Sequence, residues 1–360
     1  MSAPRVEVVG LTGIPEVTAG DDLAALLTTA LERAGCALEA GDCLVVSSKL
    51  VSKARGLTWD GDRAAAVVAH TVRVVAERTG STGETTRVVE SLAGPVMAAA
   101  GVDASNTGPS GAVLLLPEDP DAEAAALRSR LLALAGPGGD AAVGVVLSDT
   151  AGRAWRAGQT DLAVGASGMA VLDDLRGGVD HDGRPLAVTA RAVADEVAAA
   201  ADLVKGKADG VPAALVRGLP AAWFAAGSDG ETSADQDTGA RSLVRTGPGD
   251  WFATGPVEAL RAVLGAAPGS PDSSEVGIRS VAPEPMADRV GRVVALALLR
   301  VPEGSADVSV ADTGAEVVLA APDDLDLGRL LVRLEVAAAS EDLLPTTGAR
   351  GPGSVTVHLR

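Results

Sequence analysis

Lysine is nearly missing from this chain. Only four lysines stand among 30 Lys+Arg in 360 residues, and they fall as two close pairs, Lys49 with Lys53 and Lys205 with Lys207. Other scarcities exclude whole classes of function. The three histidines, His70, His181 and His358, are scattered, which argues against a Ser-His-Asp triad and against a histidine-built metal site. Two cysteines, Cys36 and Cys43, are too few for a disulfide framework or a zinc centre and suggest free thiols in the cytoplasm. No apolar run approaches the roughly 18–20 residues of a membrane span. Met1-Ser2-Ala3-Pro4 lacks the basic, then apolar, pattern of a secretory leader. There is no Gly-x-x-x-x-Gly-Lys-Ser/Thr, no Gly-x-Gly-x-x-Gly after a strand and no Gly-x-Ser-x-Gly, so a P-loop, a dinucleotide fingerprint and a nucleophile elbow are excluded. A formal net charge of −18 argues against a broad basic surface for nucleic acid.

What is present gains meaning from that background. A lysine ammonium is a compact, strongly hydrated point charge that reaches a single phosphate oxygen where a planar guanidinium does not fit. In an acidic, arginine-dominated chain, paired lysines are expected where an anionic ligand must be neutralised locally; the alternative is random survival in a biased composition. Ser47-Ser48-Lys49-Leu50-Val51-Ser52-Lys53 follows the apolar run Cys43-Leu44-Val45-Val46, and an offset of four puts both lysines on one face of a helix or strand.

The hydrophobic pattern alternates between strand-like and helix-like segments, which predicts an α+β (mixed α/β) fold. Strands are expected at 6–9, 44–46, 87–92, 113–116, 142–147 and 213–216. Helices are expected from an Asp21 cap to about Ala34, and over 64–77, 121–134 and 193–203, with Gly136-Pro137-Gly138-Gly139 stopping the third. Residues 1–250 are read as the principal domain and 251–275 as a junction, with Ala266–Ser274 a linker by its Pro/Gly/Ser content. Residues 276–360 form a small α/β appendage whose core, lacking any aromatic side chain, is expected to be modest. On this reading a chain ending near Ala267 stays soluble and keeps its activity.

The densest polar stretch is Ser148-Asp149-Thr150-Ala151-Gly152-Arg153-Ala154-Trp155-Arg156-Ala157-Gly158-Gln159-Thr160-Asp161, placed where a buried strand is expected to end. Carboxylate and hydroxyl oxygens there suit a hard divalent cation, and Arg153, Arg156 and Gln159 suit an anionic substrate. The alternative is a capped turn with locally paired arginines. Asp103-Ala104-Ser105-Asn106, between Gly101 and Gly108, offers another carboxylate and an amide, or simply an Asx-turn. Trp155 and Trp223 are expected to be packing residues rather than stacking platforms.

These segments resemble the coenzyme F420:L-glutamate ligases. The resemblance runs from about Val6 to Trp251 and rests on motifs in one order: Gly13-Ile14-Pro15-Glu16, Ser48-Lys49-Leu50-Val51-Ser52-Lys53, Asp103-Ala104-Ser105-Asn106, the Ser148–Asp161 run, Val193-Ala194-Asp195-Glu196, Lys205-Gly206-Lys207 and Val216-Arg217-Gly218. It implies a GTP-dependent enzyme that adds L-glutamate to a deazaflavin F420 precursor and extends a γ-linked tail through an acyl phosphate. By the same resemblance Gly13, Ile14, Pro15, Glu16, Ser48, Lys53, Asn106, Lys205, Gly206 and Lys207 contact GTP. Asp103, Asp149 and Thr150 hold Mg2+ or Mn2+, with K+ a further candidate ion, and Lys53, Asp149, Arg153 and Arg156 serve the chemistry. A homodimer is implied too. The chain departs from the family pattern at Arg55, where a glutamate is usual, and at Lys207, where some relatives have a metal-ligating glutamine. No flavin-binding motif follows residue 251, so no FMN is expected. Two other readings stay open: a ligase for another acidic acceptor, and a catalytically silent nucleotide- or deazaflavin-binding protein.

Overall fold

The computed structural model describes residues 3–105, 113–135, 142–206, 208–224, 239–311 and 313–360. The architecture is α+β, in two compact units. One comprises 1–71 with 90–245, the other 72–89 with 246–360.

The first unit is built on a five-stranded sheet. Its order is Glu7–Gly10, Ala213–Arg217, Cys43–Ser47, Gly144–Arg153, Arg156–Ser167. Cys43–Ser47 and Gly144–Arg153 are parallel and the other neighbours antiparallel. The two parallel strands are apolar without alternation through Val46 and Leu147 because both faces are covered there. Leu44, Val46, Val145 and Leu147 meet Leu27 and Leu31 of helix Leu23–Arg33 and Leu127 and Leu131 of helix Pro120–Ala135 on one side. Cys43, Val45 and Val146 meet the alanine-rich face of helix Val193–Lys205 on the other. Small side chains there let helix and sheet approach closely.

Several expectations need correction. The first helix is capped by Asp22, whose carboxylate accepts the Ala25 amide, whereas Asp21 accepts from Thr18 in the preceding turn. The helix expected over 64–77 is only Arg63–Ala69; after His70 the β-branched run of Thr71–Thr79 is a strand. The apolar strand expected to stop before Ser148 continues to Arg153 and turns back through Trp155 (φ 59°) into a twelve-residue strand. Trp155 sits at that turn with 81% of its surface exposed, so it is not a packing residue. The Gly136–Gly139 stop lies outside the described residues.

The second unit has an antiparallel sheet in the order Ser305–Ala311, Gly314–Ala320, Ser354–Leu359, Pro345–Gly351, with helices Met286–Leu298 and Asp324–Ser340 supplying its core. That core is wholly aliphatic, with Leu296, Leu319, Leu330, Leu334 and Leu359 fully buried. The stretch Ala266–Ser274, expected to be a linker, contains the start of helix Pro271–Val276, capped by the Ser270 hydroxyl. Ser273 is buried and donates to Glu77 of the 72–89 segment, a carboxylate also paired with Arg87. Arg292 forms forked pairs with both Glu284 and Glu341.

Two predictions follow from the second unit. A chain ending at Ala267 strands the buried Glu77 without Ser273 and removes nearly all of the aliphatic core, so residues 72–89 should lose amide protection in hydrogen exchange and the protein should aggregate. Full-length-like protection in the truncated chain would show the unit dispensable. Burial pushes the Glu284 carboxyl up, but the Arg292 guanidinium outweighs it and holds the pKa below the ordinary 4.5. A depressed carboxylate stabilises fully above its unfolded pKa and loses that contribution as pH falls through its folded pKa. The thermal-midpoint gap between wild type and Glu284→Gln should therefore be constant from about pH 8 to 6 and narrow progressively once the pH falls below the ordinary carboxylate value of 4.5.

Candidate functional site

Where the two parallel strands end, the first unit opens a cavity of about 470 Å³. That lies within the roughly 300–1,000 Å³ of pockets for drug-sized ligands, so a nucleotide-sized molecule fits. Four chain segments line it: the loop Ile14–Val17, the start of helix Ser48–Arg55, the strand residues Ser148, Asp149, Thr150 and Asp161, and the turn from Lys205 to Pro212.

The helix Ser48–Arg55 explains the first lysine pair. Lys49 and Lys53, one turn apart, both reach the cavity wall. Lys49 Nζ is 2.7 Å from Asp103 Oδ2 and donates to the Ser105 carbonyl at 2.7 Å. Lys53 pairs with Glu16. The helix begins at Ser47, its N-cap residue, which also lines the cavity. Arg55 looks elsewhere: it pairs at 2.8 Å with Glu123 and does not line the cavity. The unusual charge at that position is absorbed by a surface ion pair.

Lys205 is buried and serves a different purpose. Its ammonium lies 2.5 Å from Asp161 Oδ2 and donates to Ser148 Oγ at 2.6 Å. Ser148 and Thr150 donate their hydroxyls to the two oxygens of Asp161, each at 2.8 Å. Burial pushes the Asp161 carboxyl up, yet the Lys205 charge and the hydroxyl donors outweigh it, and its pKa falls below the ordinary value. Asp103 is balanced the same way: burial raises it, while Lys49 and the Ser105 amide and hydroxyl leave it lowered. The Ser105 amide to Asp103 Oδ1 contact is the Asx-turn bond, so the turn and the cavity-facing carboxylate coexist. Ala99 and Ala100, with φ of 53° and 55°, lead into this segment in the left-handed region that alanine disfavours.

Of the residues expected at a site, Ile14, Pro15, Glu16, Lys53, Asp103, Asp149, Thr150, Lys205 and Gly206 line this one cavity. Gly13 stands just outside it, holding Arg33 through its carbonyl, and Ser48 is buried within the helix start. Arg153 and Arg156 face each other across the exposed hairpin end and do not line the cavity. Asn106 and Lys207 lie outside the described residues. Sequence reasoning assigned no role to Ser148, Asp161 or Asp202, all of which line the cavity. The pairing of Asp161 with Ser148 depends on a hairpin register with a bulge at Leu147/Ser148, which no spacing rule reveals.

Asp103, Asp149, Asp161, Asp202 and the Thr150 hydroxyl give the cavity a set of hard oxygen donors whose chemistry fits Mg2+ or Mn2+. Among the described residues no three His, Cys, Asp or Glu side chains are gathered into a metal-holding group. Lysine ammoniums occupy Asp103 and Asp161 instead.

A family model described as F420-0:gamma-glutamyl ligase matches residues 12–218, a range that contains every residue lining the cavity. The chain is 41% identical over 233 residues to coenzyme F420:L-glutamate ligase of Methanopyrus kandleri, covering 60% of this chain and 87% of that protein. It is 37% identical over 256 residues to the protein of the same name from Archaeoglobus fulgidus, covering 67% and 99%. For that of Natronomonas pharaonis the identity is 39% over 233 residues, covering 59% and 86%.

Breaking the Lys205–Asp161 pair tests how far the cavity depends on it. Lys205→Met leaves a buried carboxylate without its cation, a change that typically costs about 3–5 kcal/mol. Ser148 and Thr150 still donate, so the loss in urea unfolding should sit at the lower end of that range. A loss within experimental error of zero would show the pair to be solvated.

Proposed function

The chain belongs to the F420-0:gamma-glutamyl ligase family, and on that premise we propose that it joins L-glutamate to the deazaflavin F420 precursor at the expense of GTP. The observation that supports the reading is the convergence of Lys49 and Lys53 with Asp103, Asp149 and Thr150 on one nucleotide-sized cavity. In a chain of net charge −18, such concentration of ammonium groups is what a polyphosphate requires.

In this reading a carboxylate oxygen of the precursor attacks the γ-phosphorus of GTP, forming a P–O bond as the bond to the GDP oxygen breaks. The free glutamate amine, its ammonium proton lost to water, then attacks the acyl carbon; the C–N bond forms, the acyl C–O bond breaks with its electrons going to the departing inorganic phosphate, and the surplus N–H proton passes to water. Phosphoryl transfer asks the protein for alignment and charge neutralisation more than for covalent help. Lys49 and Lys53 supply that charge from a rigid helix, each held in place by a carboxylate that a phosphate oxygen can replace. The amides at the start of helix Ser48–Arg55 add fixed positive potential. Lys205 is spent on Asp161 and keeps the floor of the cavity in place. Asp103, Asp149 and Thr150 would hold a divalent cation, which neutralises phosphate oxygens when bound. Arg153 and Arg156, exposed at the hairpin end, are available to acidic groups of the precursor that extend beyond the cavity.

The test is turnover with GTP, L-glutamate and the precursor, followed by product mass. One GDP and one phosphate should form per glutamyl residue added. Asp149→Asn, nearly isosteric, should lower kcat by roughly a hundredfold or more with an unchanged melting temperature. Lys53→Ala should chiefly raise the KM for GTP, and Lys53→Arg should not restore it, because a planar fork does not replace a point charge. Nucleotide binding without product would identify a silent binder, and product with a different acid would identify another ligase.

A further inference from the structure

Asp149 borders a second cavity, of about 230 Å³, as well as the larger one. Most of the smaller wall is apolar, including Met97, Leu162, Val164 and Leu243, and its other charged groups are Asp195 and Arg245. The wall is firmly built. Asp121, at the start of helix Pro120–Ala135, accepts the backbone amides of Ala166, Ala240 and Arg241, which ties the segment carrying Leu243 and Arg245 to the hairpin. Asp195 stands in the first turn of helix Val193–Lys205 and accepts the Ala163 amide through Oδ1 at 2.9 Å. Burial raises its pKa, and no cation pairs with it among the described residues.

The volume falls below the range for drug-sized ligands, which is too little for a tricyclic ring with its ribityl and phosphate arm. It suits a small molecule with a short aliphatic stem, an ammonium and a carboxylate. We propose that this cavity receives the amino-acid substrate, its ammonium at Asp195, its methylenes against Met97 and Leu162, and a carboxylate at Arg245. The position agrees with the chemistry, because the amine must reach an acyl carbon formed in the larger cavity, and the two spaces share Asp149. This assignment rests on the ligase reading and adds the residues that select the nucleophile.

The experiment measures KM separately for GTP, precursor and L-glutamate in wild type, Asp195→Asn, Arg245→Met and Leu162→Trp. Asparagine keeps the acceptor for the Ala163 amide, and a nucleotide-induced shift in melting temperature checks that each variant is folded. Loss of one charge-assisted contact should raise the KM for L-glutamate by about tenfold or more in the two charge variants. Leu162→Trp, which fills the space, should abolish saturation by glutamate. The KM for GTP and for precursor should stay within about twofold in all three. A rise confined to the precursor KM would assign the cavity to the acceptor and overturn the proposal, as would unchanged glutamate KM values. If wild type forms no glutamylated product, the ligase reading itself fails; if it does and the variants match it, only the amino-acid site fails.

Discussion

The buried pair between Lys205 and Asp161 is the constraint on which the site depends. It joins the last residue of a helix to the returning strand of a hairpin, and both hydroxyls of the outgoing strand bond to the same carboxylate. Taking two such ions out of water is costly, so the arrangement holds only with every partner in place. That exactingness is useful for a cavity wall. It fixes Ser148, Thr150 and the end of that helix relative to one another, while Lys49 and Lys53, on a separate helix, stand on the more exposed pairs with Asp103 and Glu16. Among the described lysines, Lys205 thus belongs to the architecture, whereas Lys49 and Lys53 stand in the cavity wall on ion pairs of their own.

Much of this site was legible in the residues themselves. The offset of four between Lys49 and Lys53 predicts a shared face, and the helix delivers it. The buried strand before Ser148 is evident from an unbroken apolar run. Other features were not local and so could not be read. Asp161 acquires its role from hairpin register and a bulge, and Asp202 from the turn at the end of a helix. Trp155 looked like core because tryptophan usually buries its ring, but a left-handed turn puts it in solvent. The helix expected through Glu77 failed at His70 because alanine-rich and valine-rich segments both look apolar in a window, while only the β-branched part resists helical χ1 restriction.

The departures from the family pattern have unequal consequences. Arg55, where the resemblance implies an acid, pairs with Glu123 and does not line the cavity. The second unit matters more. Its core uses only aliphatic side chains, and it compensates with ordered ionic contacts: Arg292 bridging Glu284 and Glu341, and Glu77 held by Ser273 and Arg87.

The division of the chain has a consequence for the order of synthesis. Residues 72–89 leave the ribosome early but belong to a unit whose remaining parts begin at Thr246. Its sheet cannot be completed sooner than Ser354–Leu359, which sits between Gly314–Ala320 and Pro345–Gly351 rather than at an edge. Throughout that interval Glu77 has Arg87 within its own strand pair but lacks its later partner Ser273, while the sheet and helices around the cavity are free to assemble. Domains generally fold as units and N-terminal parts first. Here the early segment is committed to the late unit, so a nascent chain stalled before Thr246 would expose those strands to any other chain able to pair with them.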